Sequence, residues 1–453
     1  MNLTINEVSQ ALNAGECGSD GSISSVVIDN RKAKKDSLFI AIKGENHDGH
    51  DFIFEAVKAG ACAVVCEKKP EGLTVPCITV KDTRQAIMSL AKYYRDKFNI
   101  NTVGITGSVG KTTTKEMIAT VLESKFKTLK TKGNFNNEIG LPLTLFELDD
   151  GYEAAVIEMG MSNFGEISRL SKTASPSIGV ITNIGVSHIE SLGSKKGILK
   201  AKLEILDGME YNAPLFLNGD DLLLKGYKST QRKIITFGVK NKRCNYRACN
   251  ITQHNNKTTF YIKYKNNRQK IILPCIGEHN VLNAVCAFAI ADKLKINAKK
   301  AAEALLKYVP AGMRQNIVNI NGMTIIEDCY NASPDSMKAA LSTLGVLKCK
   351  GKKIAVLSDM LELGEISRQT HLSFGKMIKK NADILFSYGD FAKYYTDGAK
   401  KHDMQACYYF EDKRSLCDTL LGIINKGDII LFKGSRGMHL EKIMAEVYER
   451  SSD

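Results

Sequence analysis

The stretch Asn101-Thr-Val-Gly-Ile-Thr-Gly-Ser-Val-Gly-Lys-Thr112 decides how the chain folds. NTVGIT reads as a buried strand, GSVGK as a glycine-rich loop, and TTTKEMIATVLESK, beginning at Thr112, as a helix. That is the layout of a nucleotide-binding strand-loop-helix unit. Glycines let backbone N–H groups and the helix N-terminus approach phosphate oxygens closely. Gly107, Ser108, Val109 and Gly110 are therefore expected to cradle phosphate, with Thr113 beside them. Lys111 is expected to meet the β and γ phosphates and Thr112 to ligate Mg2+. The loop is a variant, because strict Walker spacing would put a glycine where Ile105 stands, whereas the glycines are Gly104, Gly107 and Gly110. A glycine turn followed by a chance Lys-Thr is the bland alternative, and the strand and helix on either side stand against it.

Outward from this unit, further buried-strand candidates follow at AAVIEM, SIGVIT and PLFLN, as in a mainly parallel sheet covered by helices. Between about Arg243 and Leu273 the runs YRACNI, TTFYIKY and RQKIIL alternate with polar turns and predict an antiparallel appendage. Helical NVLNAVCAFAIADKL and AKKAAEALLKYV close this central unit. Before it lie short runs such as SLFIAI and ACAVVCE, separated by turn residues. After it comes a second strand-and-helix series, MTIIED, KKIAVLS, ADILFSY, ACYYF and DIILFK. The expected architecture is α/β in three domains: a small α/β domain over 1–97, a central P-loop domain over 98–308 and a Rossmann-like domain over 309–453.

A chain of 453 residues exceeds what one core usually serves, so clefts between domains become expected binding sites. Apolar residues make up 43% and charged residues 25%, with no long low-complexity tract, which excludes a disordered or fibrous protein. No apolar run approaches membrane-spanning length and the amino terminus lacks a secretory pattern, so a cytoplasmic location without membrane insertion is expected. The 12 cysteines have no metal-like spacing, and Cys62, Cys66, Cys275 and Cys286 sit in apolar stretches as reduced thiols. The formal charge of +14 admits nucleic acid, anionic lipid or small anionic substrates. Basic clusters such as Lys348, Lys350, Lys352 and Lys353 lack interleaved aromatics, so no nucleic-acid partner is expected.

A P-loop alone permits a motor, a switch, a transporter subunit or a kinase as readily as a ligase. Glu158 ends the strand AAVIEM at the sheet edge where phosphate-bound Mg2+ would sit. His188, past SIGVIT, and Lys202, in AKLEIL, are further candidates. Taken singly, each also reads as an ordinary strand-end, loop or surface residue.

Taken together, the motifs resemble the Mur ligases. The resemblance spans nearly the whole chain and rests on GITGSVGKTT, on Gly133-Asn-Phe-Asn-Asn-Glu-Ile-Gly-Leu-Pro-Leu-Thr144, and on VIEMGMSNFGEI, ITNIGVSHIE, AKLEIL, GEHNVLNA, GMR, EDCYNASPDSM and SDMLELGE. It implies ATP and two Mg2+ ions as cofactors. The first domain would hold the UDP-sugar end of the substrate through Asp29, Asn30 and Arg31. Lys111 and Thr112 resemble the phosphate and magnesium residues, Glu158 a Mg2+ ligand, and His188 a residue that helps to hold a second ion. Lys202 aligns with the lysine that these enzymes carry as an N6-carboxylated (carbamate) metal ligand. By the same resemblance Asn280 and Asn283 reach the adenine side of ATP, Arg314 the γ phosphate and Asp328 the ribose, with Tyr330 and Asn331 lining that cleft.

Asn134, Asn136 and Asn137 offer amides to a polar substrate, although asparagines in such a loop are also ordinary turn residues. This segment points within the family to the dipeptide-adding member. The implied partners are UDP-N-acetylmuramoyl-tripeptide and D-alanyl-D-alanine, joined by a monomer through an acyl phosphate in peptidoglycan synthesis. Lys111, Lys202, His188 and Arg314 would carry the chemistry. The nearest rival is another ligase of the same fold: a folylpolyglutamate synthase, which would begin close to its P-loop, or a sister Mur enzyme adding one amino acid, which fits GNFNNEIGLPLT and EDCYNASPDS less well. The other rival is a catalytically silent nucleotide-binding protein, which has no need of all these residues.

Overall fold

Parallel strands have both faces covered, so they need near-continuous apolar runs, and this chain supplies them three times. A computed structural model describes residues 1, 3–15, 20–254, 256–310 and 312–450. Near the amino terminus, strands Ser25–Val27, Ser37–Ile40, Ala61–Cys66 and Cys77–Thr79 form a four-stranded parallel sheet. The helix Thr83–Arg95 leads from it to the P-loop strand. Asp82 caps that helix by accepting from the Arg84 and Gln85 amides, which otherwise lack partners in a first turn.

The central sheet has nine strands. In spatial order they are Asn267–Leu273, Lys257–Tyr264, Tyr246–His254, Ile234–Gly238, Leu215–Asn218, Ile178–Ile181, Asn101–Thr106, Ala154–Glu158 and Thr128–Lys130. The expected antiparallel segment is present but is no separate module. It continues the main sheet through parallel pairing of Phe237 with Tyr246. Helix Glu278–Lys293 is apolar nearly all round and lies buried against helix Lys111–Leu122, as a core helix must. Truncating its buried Phe288 to Ala would cost about 3–5 kcal/mol.

A six-stranded sheet follows, ordered Asn316–Ile320, Met323–Asp328, Ile429–Lys433, Lys353–Ser358, Ile384–Tyr388 and Cys407–Phe410. Only its first strand pairs antiparallel. No helix of the described residues is long and apolar enough to cross a membrane. In such open α/β sheets ligands bind beyond the carboxyl ends of the strands. Here the strand Asn101–Thr106 lies between Ala154–Glu158 and Ile178–Ile181, so Gly107, Glu158 and Thr182 emerge side by side.

Candidate active site

Two glycines shape the phosphate loop for different reasons. Gly107 has φ +150° and leaves no room for a side chain, since a Cβ there would meet Thr182 Oγ1 at 1.8 Å. Gly110, at φ +80°, turns the chain into the helix that begins at Lys111. The segment after strand Ile178–Ile181 holds the loop from beneath. The Thr182 hydroxyl donates to the Val109 carbonyl (2.6 Å), and the Gly185 amide donates to Ser108 Oγ (2.9 Å). Asn183 accepts from the Ser108 amide through its carbonyl (3.1 Å) and from the Val109 amide through its side chain (2.9 Å). Two amides expected to face phosphate are thus bonded to Asn183. The Lys111 ammonium folds back onto the Gly107 carbonyl at 2.9 Å. Burial pushes Lys111 below the usual lysine range, the Glu158 and Glu362 carboxylates oppose that, and the Arg314 cation adds to it.

Glu158 is buried at the strand end and fully engaged. The Thr112 hydroxyl donates to one carboxylate oxygen and the Asn136 amide to the other, each at 2.8 Å. The Glu158 amide donates to Thr131 Oγ1 at 2.9 Å. Asn136 therefore stands on the phosphate side of the site, apart from its neighbours. Asn137 accepts from the Gly140 amide (2.8 Å) just before the short helix Gly140–Leu145. Asn134 and Asn137 line a cavity of about 770 Å3 whose other wall includes Asp29 and Lys32 of the first sheet's loop. Asn30 and Arg31 are outside that lining. Arg31 is largely exposed and grips Asp29 through two 2.9 Å contacts.

Lys202 is buried, 2% exposed, and its ammonium has no hydrogen-bond or ion-pair partner among the described residues. Burial, reinforced by the Lys111 cation, pushes it well below the usual lysine range, toward a neutral amine. His188 sits in the left-handed region with its Nδ1 2.9 Å from Glu362 Oε2, across the boundary to the last sheet. Its neighbour Val186 packs against the apolar core of that last unit.

From the far side, the Arg314 guanidinium lies 3.6 Å from the centre of the Tyr330 ring. Asp328 is buried and paired with Lys433 at 3.1 Å, and Lys433 also donates to the Asn331 carbonyl. Burial pushes the Asp328 carboxyl up, and Lys433 and Gln315 pull against that. Asn280 and Asn283 are also buried. The Asn280 amide donates to the Ile276 carbonyl, and Asn283 accepts from the Thr114 hydroxyl at 3.2 Å, tying helix Glu278–Lys293 to the P-loop helix. Glu362, Asn183, Thr131 and Lys433 are site neighbours that sequence reasoning did not single out. Only Glu362 (SDMLELGE) and Asn183 (ITNIGVSHIE) lay within motifs that could have flagged them.

Thr112 and Glu158 present the hard oxygens that Mg2+ takes. No group of three or more His, Cys, Asp or Glu that could hold a metal occurs among the described residues. Such a donor set fits an ion that completes its shell with phosphate oxygens and water.

A phosphate loop on a parallel sheet, with an acid at the next strand end and an arginine brought in by a separate α/β unit, defines a Mur ligase, and the chain belongs to that family. Its residues 22–95 match the Mur ligase family catalytic domain, 105–291 the Mur ligase middle domain, and 313–436 the Mur ligase glutamate ligase domain. It is 42% identical over 434 residues to the UDP-N-acetylmuramoyl-tripeptide--D-alanyl-D-alanine ligase of Bacillus subtilis, covering 94% of this chain and 93% of that one. A MurF crystal structure from Acinetobacter baumannii superposes with a TM-score of 0.92 at 29% identity over 99% of both chains. The MurF ligase of Thermotoga maritima in complex with ADP gives 0.86 at 28% identity, covering 94% of this chain and 98% of that one.

Proposed function

We propose that this chain is the cytoplasmic, monomeric ligase that joins D-alanyl-D-alanine to UDP-N-acetylmuramoyl-tripeptide at the expense of ATP, yielding a pentapeptide precursor of peptidoglycan. The observation that carries the reading is the Thr112–Glu158 contact beside Lys111, with the Arg314 cation of the last unit near enough to act on the Lys111 ammonium. Relatives of known activity that span nearly the full chain support the choice of substrates.

A carboxylate does not react usefully with an amine in water, because it is anionic and its leaving group is poor. In the proposed reaction the terminal carboxylate oxygen of the tripeptide attacks the γ phosphorus of ATP, giving an acyl phosphate and ADP. Lys111 and Arg314 balance the negative charge that gathers on the transferring group. Two Mg2+ ions, when bound, would supply further charge neutralisation and align the phosphates. Thr112 and Glu158 would hold one, and His188 with an N6-carboxylated Lys202 the other. Burial favours the neutral form of the Lys202 amine, and the neutral amine is the form that takes up CO2. The dipeptide amine then attacks the acyl carbon, and phosphate leaves from the tetrahedral intermediate. No enzyme nucleophile is required. Asn280 and Asn283 would lie toward the adenine and Asp328 toward the ribose, while Gly107 to Gly110 and Thr113 surround the phosphates. Asp29 would take the UDP end in the cavity it shares with Asn134 and Asn137, with Asn30 and Arg31 at the edge of that cavity.

The test is phosphate release with ATP, Mg2+, UDP-N-acetylmuramoyl-tripeptide and D-alanyl-D-alanine, each omitted in turn, with Lys202→Ala alongside. The reading expects release only with the complete mixture and its loss in the variant. Release without either peptide substrate, or only with a single amino acid or a folate, would sink the dipeptide assignment.

A further inference from the structure

We propose that Glu362 is a positioning residue of this active site: it holds the His188 ring through Nδ1 and leaves Nε2 as the nitrogen free to face the nucleotide and its metal. The inference rests on the proposed place of His188 in that site. Glu362 and His188 are both non-glycine residues in the left-handed region, at φ +63° and +61°, and they meet at 2.9 Å. Such conformations persist where the surroundings over-determine them, and they concentrate at functional sites.

The surroundings here do so. The Met360 amide donates to Nε2 of buried His371 (3.0 Å), whose Nδ1 donates in turn to the Ser367 carbonyl (2.7 Å). The Leu361 amide donates to Ser435 Oγ (3.0 Å), and the Ser435 amide to the Asp359 carbonyl (3.1 Å). Asp359 Oδ1 accepts from the Phe391 amide at 3.1 Å. The loop before Glu362 is thereby pinned on several sides, yet the Glu362 carboxylate itself projects, 60% exposed, with His188 as its partner. A surface glutamate does not need so rigid a mount.

On the other side, the segment carrying His188 also carries Asn183 and Gly185, which grip the phosphate loop, and Val186, which packs into the last unit's core. Gly364 packs against Glu190, where an added Cβ would come 3.3 Å from Glu190 Cγ. One short segment therefore touches both the phosphate loop and the third unit. Glu362 makes the setting of His188 depend on that unit being seated. A carboxylate behind a metal-facing histidine commonly fixes its tautomer and ring orientation.

The experiment compares full-length wild type with Glu362→Ala and Glu362→Gln. It measures steady-state kinetics, thermal midpoints, and binding of Mn2+ in the presence of a non-hydrolysable ATP analogue by electron paramagnetic resonance. In the alanine variant kcat and Mn2+ affinity should each fall about 10- to 100-fold, with KM for the dipeptide and the thermal midpoint unchanged. The glutamine variant should recover most of both, because its amide oxygen still accepts from Nδ1–H. The proposal is overturned if alanine matches wild type, if glutamine is as deficient as alanine, or if kcat falls with the melting midpoint while Mn2+ affinity holds. Should wild type fail to ligate the dipeptide, the proposed function fails, and the Mn2+ measurement still decides the role of Glu362.

Discussion

The Thr112 hydroxyl donates to Glu158 at 2.8 Å, so two of the expected magnesium ligands touch each other. The Asn136 amide fixes the second carboxylate oxygen. Glu158→Gln keeps the shape and removes the charge. We expect kcat to fall about 100- to 1,000-fold, the loss expected when several kcal/mol of charge stabilisation is withdrawn. Thermal stability should fall by about 1–3 kcal/mol, because the amide oxygen can still accept from Thr112 while the amide N–H2 faces the Asn136 donor. Phosphate-release kinetics and a melting curve check both statements, and wild-type kcat in this variant would remove Glu158 from the site.

The Arg314 guanidinium lies over the Tyr330 ring, 3.6 Å from its centre, so the ring positions the cation. A lysine there lacks both the plane and the fork of donors. Arg314→Lys should therefore lose kcat about as severely as Arg314→Ala. Tyr330→Phe should keep most activity and Tyr330→Ala should not. Equal activity in the two Tyr330 variants would show that stacking is irrelevant.

Gly107 is the position where a single methyl group should disable the loop. Its Cβ would fall 1.8 Å from Thr182 Oγ1, at a φ of +150°. Gly107→Ala should destabilise the protein by roughly 1–3 kcal/mol and abolish binding of a fluorescent ATP analogue. Adding Thr182→Gly opens the space and should restore part of the binding. No restoration would mean that backbone strain, rather than the clash, dominates.

Half-buried His279, beside Asn280, supplies a pH signature. Burial lowers its pKa from 6.5 to about 4, against a hydrogen bond to Gln315 that raises it. Between those values the unfolded chain binds a proton that the folded chain does not. Stability should therefore fall as pH drops from about 6.5 toward 4, with a slope of at most about 1.4 kcal/mol per pH unit, and this term is constant above that window. His279→Gln should flatten the dependence of the melting midpoint between pH 7 and 5. An unchanged slope would assign the effect to other groups.

The order of elements was legible wherever burial writes an unbroken apolar run. AAVIEM, SIGVIT, KKIAVLS and DIILFK all became strands, and the P-loop glycines announced their turn. The strands Thr128–Lys130 and Asn316–Ile320 were not legible, because edge strands are short or half exposed and carry little pattern. Ile234–Gly238 escaped because its role is to join the antiparallel segment to the main sheet, a pairing that no local window contains. In the site, residue types could be read from motifs, but their partners could not. Nothing near Asp328 in sequence announces Lys433, and nothing near His188 announces Glu362. Those contacts are set by how whole sheets pack. The burial that makes Lys202 chemically unusual is likewise a tertiary property.

The central claim is that the tripeptide carboxylate is activated by phosphoryl transfer at this loop. It is tested most directly by labelling the terminal carboxylate of UDP-N-acetylmuramoyl-tripeptide with 18O and examining the phosphate released during one turnover with ATP, Mg2+ and D-alanyl-D-alanine. The account predicts that one labelled oxygen passes from the carboxylate to the phosphate, since the C–O bond of the acyl phosphate breaks when the amine attacks. Phosphate free of 18O, with the peptide bond formed, would contradict it.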